Sequence, residues 1–267
     1  MFPLSTKTFP SDAAALRDAL EESLRRVVTA QSQIVTVEDK SYPELQAIRV
    51  SVDRARTTWR TPAPMRPLGL IEPALRVENF EISGRPIMVE RAAIELACTA
   101  RDVQIGQGRD ANGNLILVLQ QAAEGNVEIV ATVADLESLL LAGAKAEAGK
   151  QGITVEDVKL ELRSRTNRAL ALRVDVRARK LFLGATVRLS GEVEIDDRLN
   201  ARLSGLNCSG EGALGALACK FLGPHLERFN HREFSLLALP LGEVQLRDIN
   251  IAANDKLAVS ANFGTAA

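Results

Sequence analysis

The sequence predicts an α+β fold in which a long, highly twisted antiparallel sheet wraps around apolar helices. Three observations predict it. Most of the chain alternates apolar and polar residues with period two, which gives each strand one dry and one wet face, as antiparallel sheets have. One phase holds for fifteen residues through Leu181, Leu183, Ala185, Val187, Leu189, Val193 and Ile195, a run that would extend about 50 Å if unbroken. Three other segments repeat at helical spacing, and their apolar stripes need the dry face of a sheet to cover.

The first helical segment opens at Ser11 or Asp12, either of which can accept hydrogen bonds from the first free amides. It continues through Leu16, Leu20, Leu24, Val27 and Val28, with Arg17, Asp18, Glu21, Glu22, Arg25 and Arg26 opposite. The second runs from Ala134 to Ala148 through Leu136, Leu139, Leu140 and Leu141, with Gly149 placed to end it in the left-handed conformation. The third begins near Gly212, passes Leu214, Leu217, Ala218, Phe221 and Leu222, and meets Gly223-Pro224, where an interruption is expected. Lys220 is the one charge between Ala213 and Leu222. So little polar surface predicts burial on most sides.

Among the strands, Ala92, Ile94, Leu96, Cys98 and Ala100 keep one phase, which slips to Val103 and Ile105, as a β-bulge would make it do. Asn112-Gly113, just before Leu115, is a hairpin signal because both residues tolerate positive φ. Gly191 is where the long run can bend. Residues 60–73 hold four prolines and read as an extended loop or edge crossing, while Gly205 to Gly215 holds four glycines. The 267 residues suit one domain, 1–267, with an echo of helix followed by strands that divides it into halves 1–132 and 133–267.

Composition removes several function classes. The net charge of −1 provides no field for nucleic acid, and 4% aromatic residues leave few stacking platforms. Three cysteines without C-x-x-C spacing predict buried thiols rather than a disulfide framework or a zinc site. The two histidines, His225 and His231, are six apart and fall on different helical faces, which argues against a metal held with Glu227 or Glu233. Gly106-Gln107-Gly108 lacks the third glycine of a dinucleotide fingerprint and is followed by a strand signal, so it reads as a turn. Neither a cofactor nor a catalytic constellation is predicted. Met1 to Pro10 lacks the pattern of a signal peptide and no apolar run approaches the roughly 18 residues of a spanning helix. A cytoplasmic protein is expected, peripheral at most to the inner membrane face. Lys159 to Arg188 carries nine basic and two acidic residues, a net of +7. Arg173, Arg177 and Arg188 on the wet face are candidates for contact with anionic headgroups, against the reading of a solvated face balanced by the acidic stretch before it.

The order of features resembles the TULIP superfamily of tubular lipid-binding proteins, and within it the bacterial LmeA-like domain family. The resemblance runs from Val133 to Gly264. It rests on Ala134-Asp135-Leu136-Glu137-Ser138-Leu139-Leu140 opening a helix, the long strands to Leu199, Phe221-Leu222-Gly223-Pro224-His225-Leu226, and the segment from Leu239 to Ile249. These are packing and turn patterns, not catalytic signatures. What the resemblance implies is a sheet curled around a helix, with an apolar groove that binds lipid. The expected function is non-catalytic binding or carriage of a lipid or other aliphatic molecule. The expected lining is Leu136, Leu140, Leu160, Leu162, Leu170, Leu172, Val174, Leu181, Leu183, Val187, Leu214, Leu217 and Phe221. Two other readings stay open: a structural or interaction module with a filled core, and a hydrolase with a dispersed site around His225 or His231 and Glu227.

Overall fold

Alternation and helical spacing resolve into fifteen strands and three helices among the described residues of a computed structural model. It describes residues 2–4, 6–58, 67–150, 152–180, 183–230, 232–236 and 244–265, with Leu183 and Ala213 as backbone only. In chain order these are β1 (Phe2–Pro3), α1 (Ala13–Arg25), β2 (Val35–Ser41), β3 (Glu44–Ser51), β4 (Arg56–Thr57), β5 (Leu68–Val89), β6 (Ala92–Arg109), β7 (Leu115–Gln121) and β8 (Glu124–Thr132). There follow α2 (Val133–Gly149), β9 (Thr154–Thr166), β10 (Ala169–Lys180), β11 (Leu183–Ile195), β12 (Asn200–Glu211), α3 (Gly212–Phe229), β13 (Glu233–Ser235), β14 (Val244–Ala253) and β15 (Lys256–Thr265).

The strands form two sheets rather than one. The larger has ten strands in the order β14-β15-β8-β6-β5-β3-β2, with β7 beside β6, β1 beside β7 and β4 beside β5. It is mixed: β3 and β4 run parallel to β5, a departure from the wholly antiparallel expectation. The smaller sheet is antiparallel in the order β13-β12-β11-β10-β9. The C-terminal hairpin β14–β15 joins the larger sheet through β8, so that sheet is completed by both ends of the chain.

Each helix is positioned by local chemistry. Asp12 caps α1, its Oδ1 accepting from the Ala15 amide at 2.8 Å. Leu16 and Leu20 are buried, and Glu21 Oε2 accepts from the Ile34 and Val35 amides, which ties the helix to the start of β2. In α2 the Thr132 side chain accepts from the Asp135 amide. Asp135 in turn accepts from the Ala93 amide of β6, and Glu137 from the Leu160 amide on the edge of β9. Gly149 does not end this helix in the left-handed region. The helix ends with Lys150 as a right-handed C-cap, and Gly152 beyond it lies at φ +67°. The third helix runs through Pro224 without a break. Its N-terminal half packs close against β11 and β12, where a Cβ on Gly210 would lie 2.1 Å from the Gly215 carbonyl oxygen. Two of the four glycines of that stretch are thus required by close approach.

Several strand features take a different form from their sequence signal. The slip after Ala100 is a change of partner: β6 pairs with β8 up to Arg101 and with β7 from Gln104, and between them Asp102 adopts φ +50°. Gly106 and Gly108 lie inside β6, not in a turn. The Ile71 side chain crosses Gly106 so closely that a Cβ would come within 2.5 Å of it. Pro73 sits in β5 between two register shifts, where a missing amide costs least, and residues 59–66 of the proline-rich stretch lie outside the described residues. Gly191 does mark an irregularity, a register shift between β11 and β12. The turn from Asp110 to Asn114 holds the predicted hairpin, with Gly113 at φ +79° and Asp110 Oδ1 accepting from the amides of Asn112 and Asn114.

Cys208 on β12 and Cys219 on α3 form a disulfide, which corrects the expectation of three free thiols. The chain reverses direction at Gly210–Gly212, so α3 runs back along β12 and brings two cysteines eleven residues apart into contact. Cys98 remains free.

Candidate functional site

The dry face of the larger sheet is a continuous apolar floor. Across neighbouring strands the register aligns Ile82, Cys98, Val127, Ala261 and Ile249 in one row, and Gly84, Leu96, Ile129, Val259 and Ile251 in the next. A third row holds Phe80, Ala100, Gly125, Phe263 and Leu246. At one end this floor meets α1. That helix has 13 residues and is about 20 Å long, whereas the 22-residue β5 reaches about 70 Å, so the helix cannot cover the face.

Where α1 lies over the floor, the facing side chains do not meet everywhere. A cavity of about 460 Å³ opens there. Leu20, Leu24 and Val28 line it from the helix side. Ile48 and Val50 of β3, Phe80, Ile82 and Ile87 of β5, and Leu96, Cys98, Ala100, Val103 and Ile105 of β6 line it from the sheet, together with Leu117, Leu119 and Phe263. Two of the smallest side chains of the floor, Cys98 and Ala100, sit in this wall. Every lining side chain is hydrophobic except the Cys98 thiol, whose pKa burial pushes up, so it stays protonated and neutral. Protein interiors rarely hold voids much larger than a water molecule, and this volume falls within the range of small-molecule sites.

Beyond α1 the floor continues with less cover among the described residues. Ile129 is 44% exposed, and Leu96, Val127 and Val259 are half-buried around it. The path ends at a second apolar cluster, where Ile249, Ile251 and Ala261 of the larger sheet pack against Leu170, Ile195 and Leu199 from the smaller sheet and its β11–β12 turn. Polar bonds fix this junction. Arg168 pairs with Asp197 at 2.8 Å and Asp248 at 2.7 Å, and the amides of Ile251 and Ala253 on the edge of β14 donate to Asn167 O and Ser164 Oγ.

The residues expected to line a groove divide into two groups. Leu160, Leu162, Leu170, Leu172, Val174 and Val187 share one face of the smaller sheet, with Leu162 opposite Leu172 and Leu160 opposite Val174. Leu170 is buried and the others are half-buried. Leu136 and Leu214 are half-buried on their helices, and Leu140 is 40% exposed. Leu217 and Phe221 are 48% and 70% exposed, contrary to the burial expected of α3. Leu181 lies outside the described residues, as does the side chain of Leu183. The cavity beneath α1 was missed because its lining comes from many elements, and each reads alone as the dry phase of a strand or helix.

The arginines of the basic stretch have carboxylate partners. Arg173 and Arg188 both pair with Asp175, at 2.9 and 3.0 Å, and Arg177 pairs with Asp157 at 2.5 Å. The hydrogen bond from Arg173 is the main cause holding the Asp175 carboxyl below the usual carboxylate range. Arg177 and Arg188 pair across strands and Arg173 within β10, and the three side chains remain 37–62% exposed. Among the described residues no group of three or more His, Cys, Asp or Glu side chains is placed to hold a metal, and no helix is long and apolar enough to cross a membrane. No family model matches the chain, and no curated protein or solved structure does.

Proposed function

We propose that the protein binds or carries an elongated apolar molecule, an acyl or isoprenoid chain, along the floor of its larger sheet. The observation that carries this reading is the cavity of about 460 Å³ beneath α1, lined by hydrophobic side chains and one neutral thiol. From its Leu96, Cys98 and Phe263 wall, rows of apolar side chains continue across the sheet toward the packed cluster at the smaller sheet. The reading agrees with the lipid-binding role that the resemblance to TULIP proteins implies, but moves the principal site from the second and third helices to the first. Each buried methylene contributes about 0.8 kcal/mol, so a chain of about a dozen carbons gains about 10 kcal/mol before ordering costs. Such a ligand needs no polar signature in the site. The one ionisable group among the described lining residues is the Cys98 thiol, which burial keeps protonated, and this favours binding over turnover.

Filling the cavity tests this. A fluorescent fatty acid should bind the wild-type chain saturably. Ile82→Trp, which places an indole in the cavity, should weaken that binding by at least about tenfold while leaving the melting temperature unchanged or higher. A filled core predicts the opposite: no saturable binding, and a loss of about 1–3 kcal/mol of stability from overpacking.

A further inference from the structure

We infer that α3 is a docking helix for an anionic lipid surface. The inference stands on α3 and β13 alone and does not depend on what the cavity holds. Among the described residues, five of the ten most exposed large hydrophobic side chains fall between positions 217 and 234: Leu217, Phe221, Leu222, Phe229 and Phe234. The helix is anchored on one side by buried Gly215, the Cys219 disulfide and Leu226. At 100° per residue, Leu217, Phe221 and Arg228 lie within about 40° of one another on the opposite side, with Lys220 at their margin. The helix therefore turns Leu217 and Phe221 away from the sheet, with Leu222 and Phe229 about 120–140° round from Leu217, and its most prominent side chain, Phe221, is 70% exposed.

The charges around the strip say what covers it. Lys220 and Arg228 are exposed and have no carboxylate partner among the described residues, whereas the arginines of the smaller sheet's wet face are paired; Glu227 and Glu233 are exposed in the same segment and leave it with a small net positive charge. Arg232 lies over the Phe229 and Phe234 rings, at 5.7 and 5.0 Å from their centroids. Exposed phenyl groups interleaved with unneutralised cations match the headgroup region of a membrane, where rings enter the acyl boundary and cations stay with phosphates. A second copy of this chain would instead bring the same cations face to face.

The test is sedimentation of the full chain with vesicles of phosphatidylcholine alone or mixed with phosphatidylglycerol. Binding is expected to the anionic vesicles, to weaken with salt, and to fall by at least about tenfold in Phe221→Asp and in Lys220→Glu/Arg228→Glu. Both changes are on exposed positions, and an unchanged melting temperature confirms that the fold is kept. Phe221→Trp should shift its emission to the blue when anionic vesicles are added. The inference is overturned if the chain binds neither vesicle, if it binds both equally, if the two variants bind like wild type, or if Phe221→Asp only turns a dimer into a monomer.

Discussion

Leu16→Ala is expected to destabilise the protein by about 3–5 kcal/mol, the upper range for truncating a buried leucine. Leu16 is fully buried in the main apolar cluster, between Ala13 and Leu20 of α1 and the first strands of the larger sheet. A 13-residue helix has little stability of its own and holds its place by packing. The void left by truncation cannot close easily, because the floor is a hydrogen-bonded sheet and the neighbouring space is already a cavity. Urea denaturation measures the loss. A change below about 1 kcal/mol would show that α1 is not fixed to the sheet, and the roof of the cavity with it.

The second large effect concerns the disulfide. Joining Cys208 to Cys219 closes a loop across eleven positions, and restricting the unfolded chain over that length contributes about 3 kcal/mol. A strong reductant should lower the wild-type denaturation midpoint by a corresponding amount. Cys208→Ala/Cys219→Ala should show the lower midpoint from the start and ignore the reductant. A wild-type midpoint that does not respond to reductant contradicts the bond. Since the disulfide ties α3 to β12 near the middle of the helix, its loss should also leave α3 more open to proteolysis than the rest of the chain.

What could be read from the sequence was local. The period-two runs and the Asp12 cap correspond to observed elements because their physics lies within a few residues. The irregularity at Gly191 was legible for the same reason. The parallel pairing of β3 with β5 was not, since alternation reports which face of a strand is dry and not which neighbour it takes. The sequence reading of α3 assumed that an apolar helix is a buried helix. That rule fails where a helix is anchored on one side and apolar on both. The Cys208–Cys219 bond was hidden by the reversal at Gly210–Gly212, and the cluster of glycines was its one visible trace: a strand and a helix that approach this closely require residues without a Cβ. The cavity was hidden more deeply. Leu20, Val50, Ile82 and Ile105 each sit in the correct phase to face a core, and only their spacing in three dimensions shows that they surround a space.

The most direct measurement of the central claim is native mass spectrometry of the purified full chain, followed by organic extraction of the same sample. The account predicts a population heavier than the 28.9 kDa polypeptide, which collapses to the bare mass on delipidation and releases into the organic phase a molecule with a long aliphatic chain. A single species at the bare mass, with no adduct after incubation with long-chain fatty acids or isoprenoid alcohols, would contradict it.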